Sequence, residues 1–157
     1  MIIESFRANN QKRAFDLVTA RGTLSYPYAK CDPAPTADDP LDFAWIDEEL
    51  GCQAVTYALA SRKEGFVHLD QALEYNRDPA FMRDLLLHEL TVTALEGLER
   101  TPLARREIMR RLGTSPAQFY RLVDPTNYSK SVDKMLELLA VLDCEVELVT
   151  RFRTGVA

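Results

Sequence analysis

The sequence predicts an α+β chain: a small β-rich N-terminal domain over residues 1–76, a long connecting helix over 77–100, and an all-α bundle over 101–157. Three observations predict it. Apolar residues alternate with a period of about two up to residue 69, and recur with a period near 3.6 from residue 79 onward. The breaker Asn76-Arg77-Asp78-Pro79 separates the two regimes. Charge is also divided. Residues 100–157 carry 10 Lys and Arg against 7 Asp and Glu, whereas residues 1–99 carry 9 against 17. Only the C-terminal third is therefore suited to face an acidic polymer.

The elements follow in order. Phe15, Leu17 and Thr19 alternate with Ala14, Asp16 and Val18, the pattern of a half-buried strand. Arg21-Gly22 makes a turn, and Leu24, Tyr26 and Tyr28 share one face of a second strand. Pro27 has no N–H to donate, which puts that strand at an edge or ends it. CDPAPTADDP, residues 31–40, is a loop. Phe43 and Trp45 fall on one side of a third strand, and Val55, Tyr57 and Leu59 on one side of a fourth. SRKEG, residues 61–65, has the length and the glycine of a hairpin loop, with residues 66–69 returning as a fifth strand. The aromatics Phe15, Tyr26, Tyr28, Phe43, Trp45 and Tyr57 are read as core rather than as a ligand pocket.

Helical spacing begins near Asp70. After the break, Asp78 caps a helix that has Pro79 in its first turn. Phe81, Leu85, Val92 and Leu95 form one stripe, and Leu87, Leu90, Ala94 and Leu98 another, so burial is expected on two sides. Three short helices follow, near 103–112, 116–123 and 131–142. Val132, Met135, Leu136, Leu139 and Leu142 are expected to close the bundle. CEVELV, residues 144–149, is short and β-prone.

Composition and motifs exclude several classes. With 46% apolar residues among 157, the chain is too apolar to be wholly disordered. No apolar run approaches ~18 residues, and no basic segment followed by an apolar run opens the chain, so a cytoplasmic protein with no membrane contact is expected. Cys31, Cys52 and Cys144 are odd in number and far apart, which suits small buried residues better than disulfides, and no CxxC pair suggests zinc. HELTVT at 88–93 begins like a zinc-protease motif, but Val92 stands where the second histidine is needed. His88 is read as a core histidine and His68 as a strand residue without a partner. With single glycines and no nucleophile setting, no enzyme activity, cofactor or metal is expected.

The informative stretch is LARREIMRRLGTSPAQFYRLV, residues 103–123. Leu103, Ile108 and Leu112 line the buried face of one short helix. Gly113 ends it, Ser115 caps the next, and Pro116 suits its first position. Phe119, Leu122 and Val123 point back to the core. Two short helices joined by a glycine-containing turn make a helix-turn-helix.

This segment, with SVDKMLELLAVLDCEVEL at 131–148, resembles the Cro/repressor-type helix-turn-helix family over residues 101–148. The resemblance implies a DNA-binding transcriptional regulator that reads the major groove of double-stranded DNA with helix 116–123, as a homodimer on a two-fold site. The family positions that approach bases and phosphates fall here on Ser115, Pro116, Ala117, Gln118, Tyr120 and Arg121. Arg121 and Gln118 are the types that read guanine and adenine edges. Arg105, and Asn127, Tyr128, Ser129 and Lys130 in the following loop, match phosphate-facing positions. Pro116 and Ala117 depart from the polar pattern and donate no side-chain hydrogen bond, which leaves DNA shape a larger share of the readout. The helix 79–99, CEVELV and the β domain all remain open as dimer surfaces.

The uneven charge supports another class of reading. In it the chain is antitoxin-like, or another protein-interaction module whose acidic N-terminal domain binds a partner protein. An enzyme site in the β part and a purely structural dimer are further alternatives.

Overall fold

The computed structural model describes residues 1–152, which divide into two compact units, Met1–Met82 and residues 83 onward. The fold is mixed α+β, with two three-stranded antiparallel sheets and five α-helices among the described residues. None of these helices is long and apolar enough to cross a membrane.

In the first unit, β1 (Ser5–Asn9), β2 (Ala14–Thr19) and β3 (Gly22–Pro27) form one sheet in that order. β1 is an addition to the strands read from sequence. Its Phe6 and Ala8 are only half-buried, so no clean alternation announced it. β3 stops at Pro27, where the missing N–H ends the pairing. Tyr28 accordingly leaves the strand and opens a 3-10 turn, with its ring still in the core.

The second sheet consists of β4 (Leu41–Ile46), β5 (Ala54–Leu59) and β6 (Glu64–His68). Phe15, Leu17, Tyr26, Val55, Tyr57 and Val67, from both sheets, share one core with Leu69, Ala72 and Leu73 of α1 (Leu69–Tyr75). His68 does have a partner: it caps α1, its Nδ1 accepting from the Asp70 N–H at 3.2 Å.

β4 corrects one expectation. Ala44 and Ile46 turn toward the core, while Phe43 and Trp45 stand exposed on the outer face, stacked with ring centroids 5.3 Å apart. The period of two was right and the phase was inverted. In that register Trp45 is opposite Thr56, and Thr56 is opposite Phe66, which is 54% exposed.

Gly65 is required by its neighbour. The Tyr57 hydroxyl, wholly buried, donates to the Pro33 carbonyl at 2.7 Å across the space a side chain at 65 would take. A Cβ there would lie 2.6 Å from the Asp32 carbonyl oxygen and closer still to the tyrosine hydroxyl. Gly65→Ala is expected to destabilise the first unit by about 1–3 kcal/mol through overpacking. Urea denaturation followed by tyrosine and tryptophan fluorescence checks this, and an unchanged midpoint would contradict the packing account.

Asp78 caps α2 (Pro79–Arg100) as expected, its Oδ2 accepting from the Phe81 N–H at 3.0 Å. The helix is no separate connector, because Leu87, Ala94 and Leu98 belong to the core of the second unit. It also buries one stripe rather than two. Thr91 completes the Leu87–Ala94–Leu98 face, while Val92 and His88 are exposed and Leu85 and Leu95 half-buried. His88 is therefore a surface histidine and not a core one.

The remaining elements are α3 (Arg105–Leu112), α4 (Pro116–Leu122) and α5 (Val132–Val141). Ile108, Leu112, Phe119, Leu122, Met135, Leu138, Leu139 and Leu142 pack with the α2 stripe. Leu138 takes the buried place expected for Leu136, which is exposed. After α5 the chain turns at Asp143, in the left-handed region at φ 57°. The Cys144 N–H then bonds back to the Leu139 carbonyl at 2.8 Å. CEVELV forms neither a helix nor a paired strand among the described residues.

Candidate nucleic-acid interface

The candidate surface is built on the turn between α3 and α4. Gly113 ends α3 at φ 63°, ψ 33°, a conformation that costs a glycine little, and its N–H closes back on Arg110. Ser115 then caps α4 with a reciprocal pair of bonds. Its Oγ accepts from the Gln118 N–H at 3.3 Å, and the Gln118 side-chain oxygen accepts from the Ser115 N–H at 3.4 Å. Pro116 at the first turn needs no hydrogen-bond acceptor. Phe119 and Leu122 anchor the helix in the core.

This anchoring sets what α4 shows outward. Ser115, Pro116, Ala117, Gln118, Tyr120 and Arg121 are all exposed, Tyr120 at 61%. Arg121 makes no hydrogen bond or ion pair among the described residues, so its five donors point to solvent unclaimed. Gln118 is partly committed: its oxygen serves the cap, and its NH2 remains available to an acceptor. Tyr120 leans edge-on against Phe119 at 5.5 Å and keeps its hydroxyl at the surface.

The other expected contacts are divided. Arg105 is exposed, but its guanidinium donates to the Leu98 carbonyl near the end of α2 at 3.2 Å. Asn127 is occupied on both sides. Its Nδ2 donates to the Arg121 carbonyl at 3.0 Å, and its Oδ1 accepts from the Ser129 N–H and hydroxyl. Tyr128 is exposed, and Ser129 is exposed with its hydroxyl donating to Asn127 Oδ1 at 2.6 Å. Lys130 is buried, its ammonium donating to the carbonyls of Leu122 and Asp124, both at 2.9 Å. Burial pulls its pKa below the ordinary lysine value, and nearby Asp124 opposes that pull. Lys130 thus ties the loop to the end of α4 and is turned away from any phosphate. Sequence spacing had aligned the position with the family, but the hydrogen-bonding need of the last α4 carbonyls decided its orientation.

Sequence reasoning passed over Lys134. Ser131 caps α5 by accepting from the Lys134 N–H at 3.2 Å, and the Lys134 side chain reaches Glu137 at 2.9 Å. Gln118, Arg121, Leu122, Asn127, Ser129 and Lys134 are among the residues that line a groove of about 530 Å³. The available signal was Ser131 three residues before a lysine, at the start of an apolar helix.

Arg110 and Arg111 share one partner. Glu107 meets Arg110 at 2.5 Å and Arg111 at 3.0 Å, which holds its carboxyl down at about 2. A carboxylate with a folded pKa below its unfolded value stabilises above the unfolded pKa, near 4.5, and loses that stabilisation as pH falls toward 2. Glu107→Gln is therefore expected to flatten the acid-side dependence of the melting temperature between those limits, which thermal melts across that range check. Arg105, Arg106 and Arg121 are left as cations of this unit's α3 and α4 without an acidic partner among the described residues.

Among the described residues no group of three or more His, Cys, Asp or Glu is placed to hold a metal ion. The three cysteines are free, and burial pushes the Cys31 thiol up to about 11, which leaves it unreactive at neutral pH. In comparisons with protein-family models, curated proteins and solved structures, no match was found.

Proposed function

We propose that this protein is a DNA-binding transcriptional regulator in which α3, the Gly113 turn and α4 act as a helix-turn-helix, with α4 entering the major groove. The observation that carries this reading is Arg121. It is an uncommitted guanidinium on the outer face of a helix whose opposite face, Phe119 and Leu122, is locked into the core. A positioned arginine fork is the side chain that pairs with a guanine edge in two bonds. Gln118, at one turn's distance, offers its NH2 to the same edge, and Tyr120 offers a hydroxyl to the backbone. Arg105 and Arg106, exposed on α3 and without an acidic partner among the described residues, add positive charge, the requirement for a salt-dependent phosphate term.

One short helix offers few base contacts, so the reading includes a homodimer on a two-fold site. The test is selection of duplex DNA from a random pool on the purified protein, followed by binding at two salt concentrations. A recovered palindrome whose affinity falls steeply with salt is the expected result. Weak binding without sequence preference would overturn it.

A second reading is favoured by one observation in the first unit. Phe43, Trp45 and Phe66 form an exposed aromatic patch on the outer face of β4–β6, in a unit whose charge is predominantly acidic. Aromatic faces with acids nearby suit the arginines of a cationic protein. An antitoxin-like role, in which the first unit masks a basic partner, is consistent with that chemistry. Co-purification of a basic protein that is lost in Trp45→Ala would support it.

A further inference from the structure

The segment after α5 carries the strongest unexplained feature of the molecule. Leu148, Val149 and Phe152 are 83%, 80% and 100% exposed, in a continuous stretch that belongs to no helix or sheet. Beyond the Cys144 N–H, none of its backbone groups takes part in a hydrogen bond among the described residues. An extended strand with free backbone groups and bare apolar side chains is a template for pairing.

The order of residues says what it pairs with. Val146, Leu148, Thr150 and Phe152 fall on one face, and Glu145, Glu147, Val149 and Arg151 on the other. Acids therefore precede the centre of the stretch and a base follows it. An antiparallel copy of the same stretch, centred on Val149, sets Glu147 opposite Arg151 twice, once on each side of the axis. On the other face it sets Val146 opposite Phe152 and Leu148 opposite Thr150. Opposite charges and aromatic with β-branched residues are the favourable cross-strand pairs. A parallel pairing would instead align Glu147 with Glu147 and Arg151 with Arg151.

We propose that residues 146–152 form the dimer interface of this protein, as a two-stranded antiparallel ribbon between two copies with its two-fold axis at Val149. It deepens the functional reading and rests on its dimeric part alone, so it is tested without DNA. The ribbon joins the ends of two α5 helices and covers apolar side chains that a single chain leaves in water.

Sedimentation equilibrium of the full chain tests it. The wild type is expected to be a dimer. Val149→Pro removes an N–H and the extended freedom at the axis, and is expected to yield a monomer with unchanged circular dichroism, since residue 149 lies outside both cores. Glu147→Arg and Arg151→Glu are each expected to weaken the dimer roughly tenfold or more, because two attractive pairs become two repulsive ones. The double variant E147R/R151E is expected to return to within about threefold of wild type. A monomeric wild type, or a dimer that survives Val149→Pro, would overturn the proposal. Single variants that weaken the dimer without recovery in the double variant would overturn the register. Arg121→Ala is expected to stay dimeric, so a failure of DNA binding is read separately from a failure of the ribbon.

Discussion

Arg121→Ala is expected to lower affinity for a selected duplex site by about 1–3 kcal/mol, a factor of about 5 to 160, while leaving the melting temperature within about a degree of wild type. The two halves of that expectation have one structural cause. Arg121 is exposed and makes no internal hydrogen bond or ion pair among the described residues, so its removal takes nothing from the fold. Truncation would therefore relax specificity at one base-pair position instead of weakening all sequences equally. Titration of wild type and variant against the parent site and against single-base changes measures both quantities. Equal affinity of the two proteins for the parent site would reject the base-reading assignment. Uniform weakening across all sequences would reassign Arg121 to a phosphate.

Phe119→Ala is expected to have the largest effect on stability, about 3–5 kcal/mol. Phe119 is 1% exposed and joins α4 to Ile108 and Leu112 of α3 and to the α5 residues of the same core. The ring is the main apolar anchor of a seven-residue helix, which is too short to persist in water without tertiary packing. Its loss therefore releases α4 itself, and DNA affinity should fall together with stability. Far-ultraviolet circular dichroism in urea reads the helical unit. An early transition in the variant is expected, with the fluorescence transition of Trp45 in the first unit left in place. A coincident shift of both signals would mean that the two units unfold together and would contradict their independent cores.

The contrast between these two neighbours on one short helix explains how much of the candidate site was legible. The spacing of Phe119 and Leu122 against Gln118 and Arg121 separates an inner from an outer face by helical geometry alone. The cap at Ser115, the proline after it and the left-handed Gly113 are local chemistry, and the structure has each in the expected role. Lys130 and Lys134 were not separable in this way. Both are lysines near a helix start, and which of them is turned inward depends on two carbonyls, Leu122 at the end of α4 and Asp124 two residues beyond it, that lack helical partners. Glu107 likewise claims two arginines at once, and only the rotamers of the folded helix show that this one acid pairs with both.

The same division holds for the fold. The sequence by itself determined the mixed α+β class, the breaks at 76–79 and 113–115, and the caps at Asp78 and Ser115. These depend on contacts within a few residues, where backbone sterics and local hydrogen bonds dominate. It did not determine which face of β4 turns inward, because Phe43 with Trp45 and Ala44 with Ile46 are both apolar pairs, and a period of two is symmetric to the choice. Nor did it determine that α2 buries the Leu87–Ala94–Leu98 stripe and leaves Val92 and His88 in water, or that Leu138 rather than Leu136 enters the core. Those outcomes were decided by tertiary structure. The side that is buried is the one that finds a complementary surface, and that surface is supplied by residues distant in the chain.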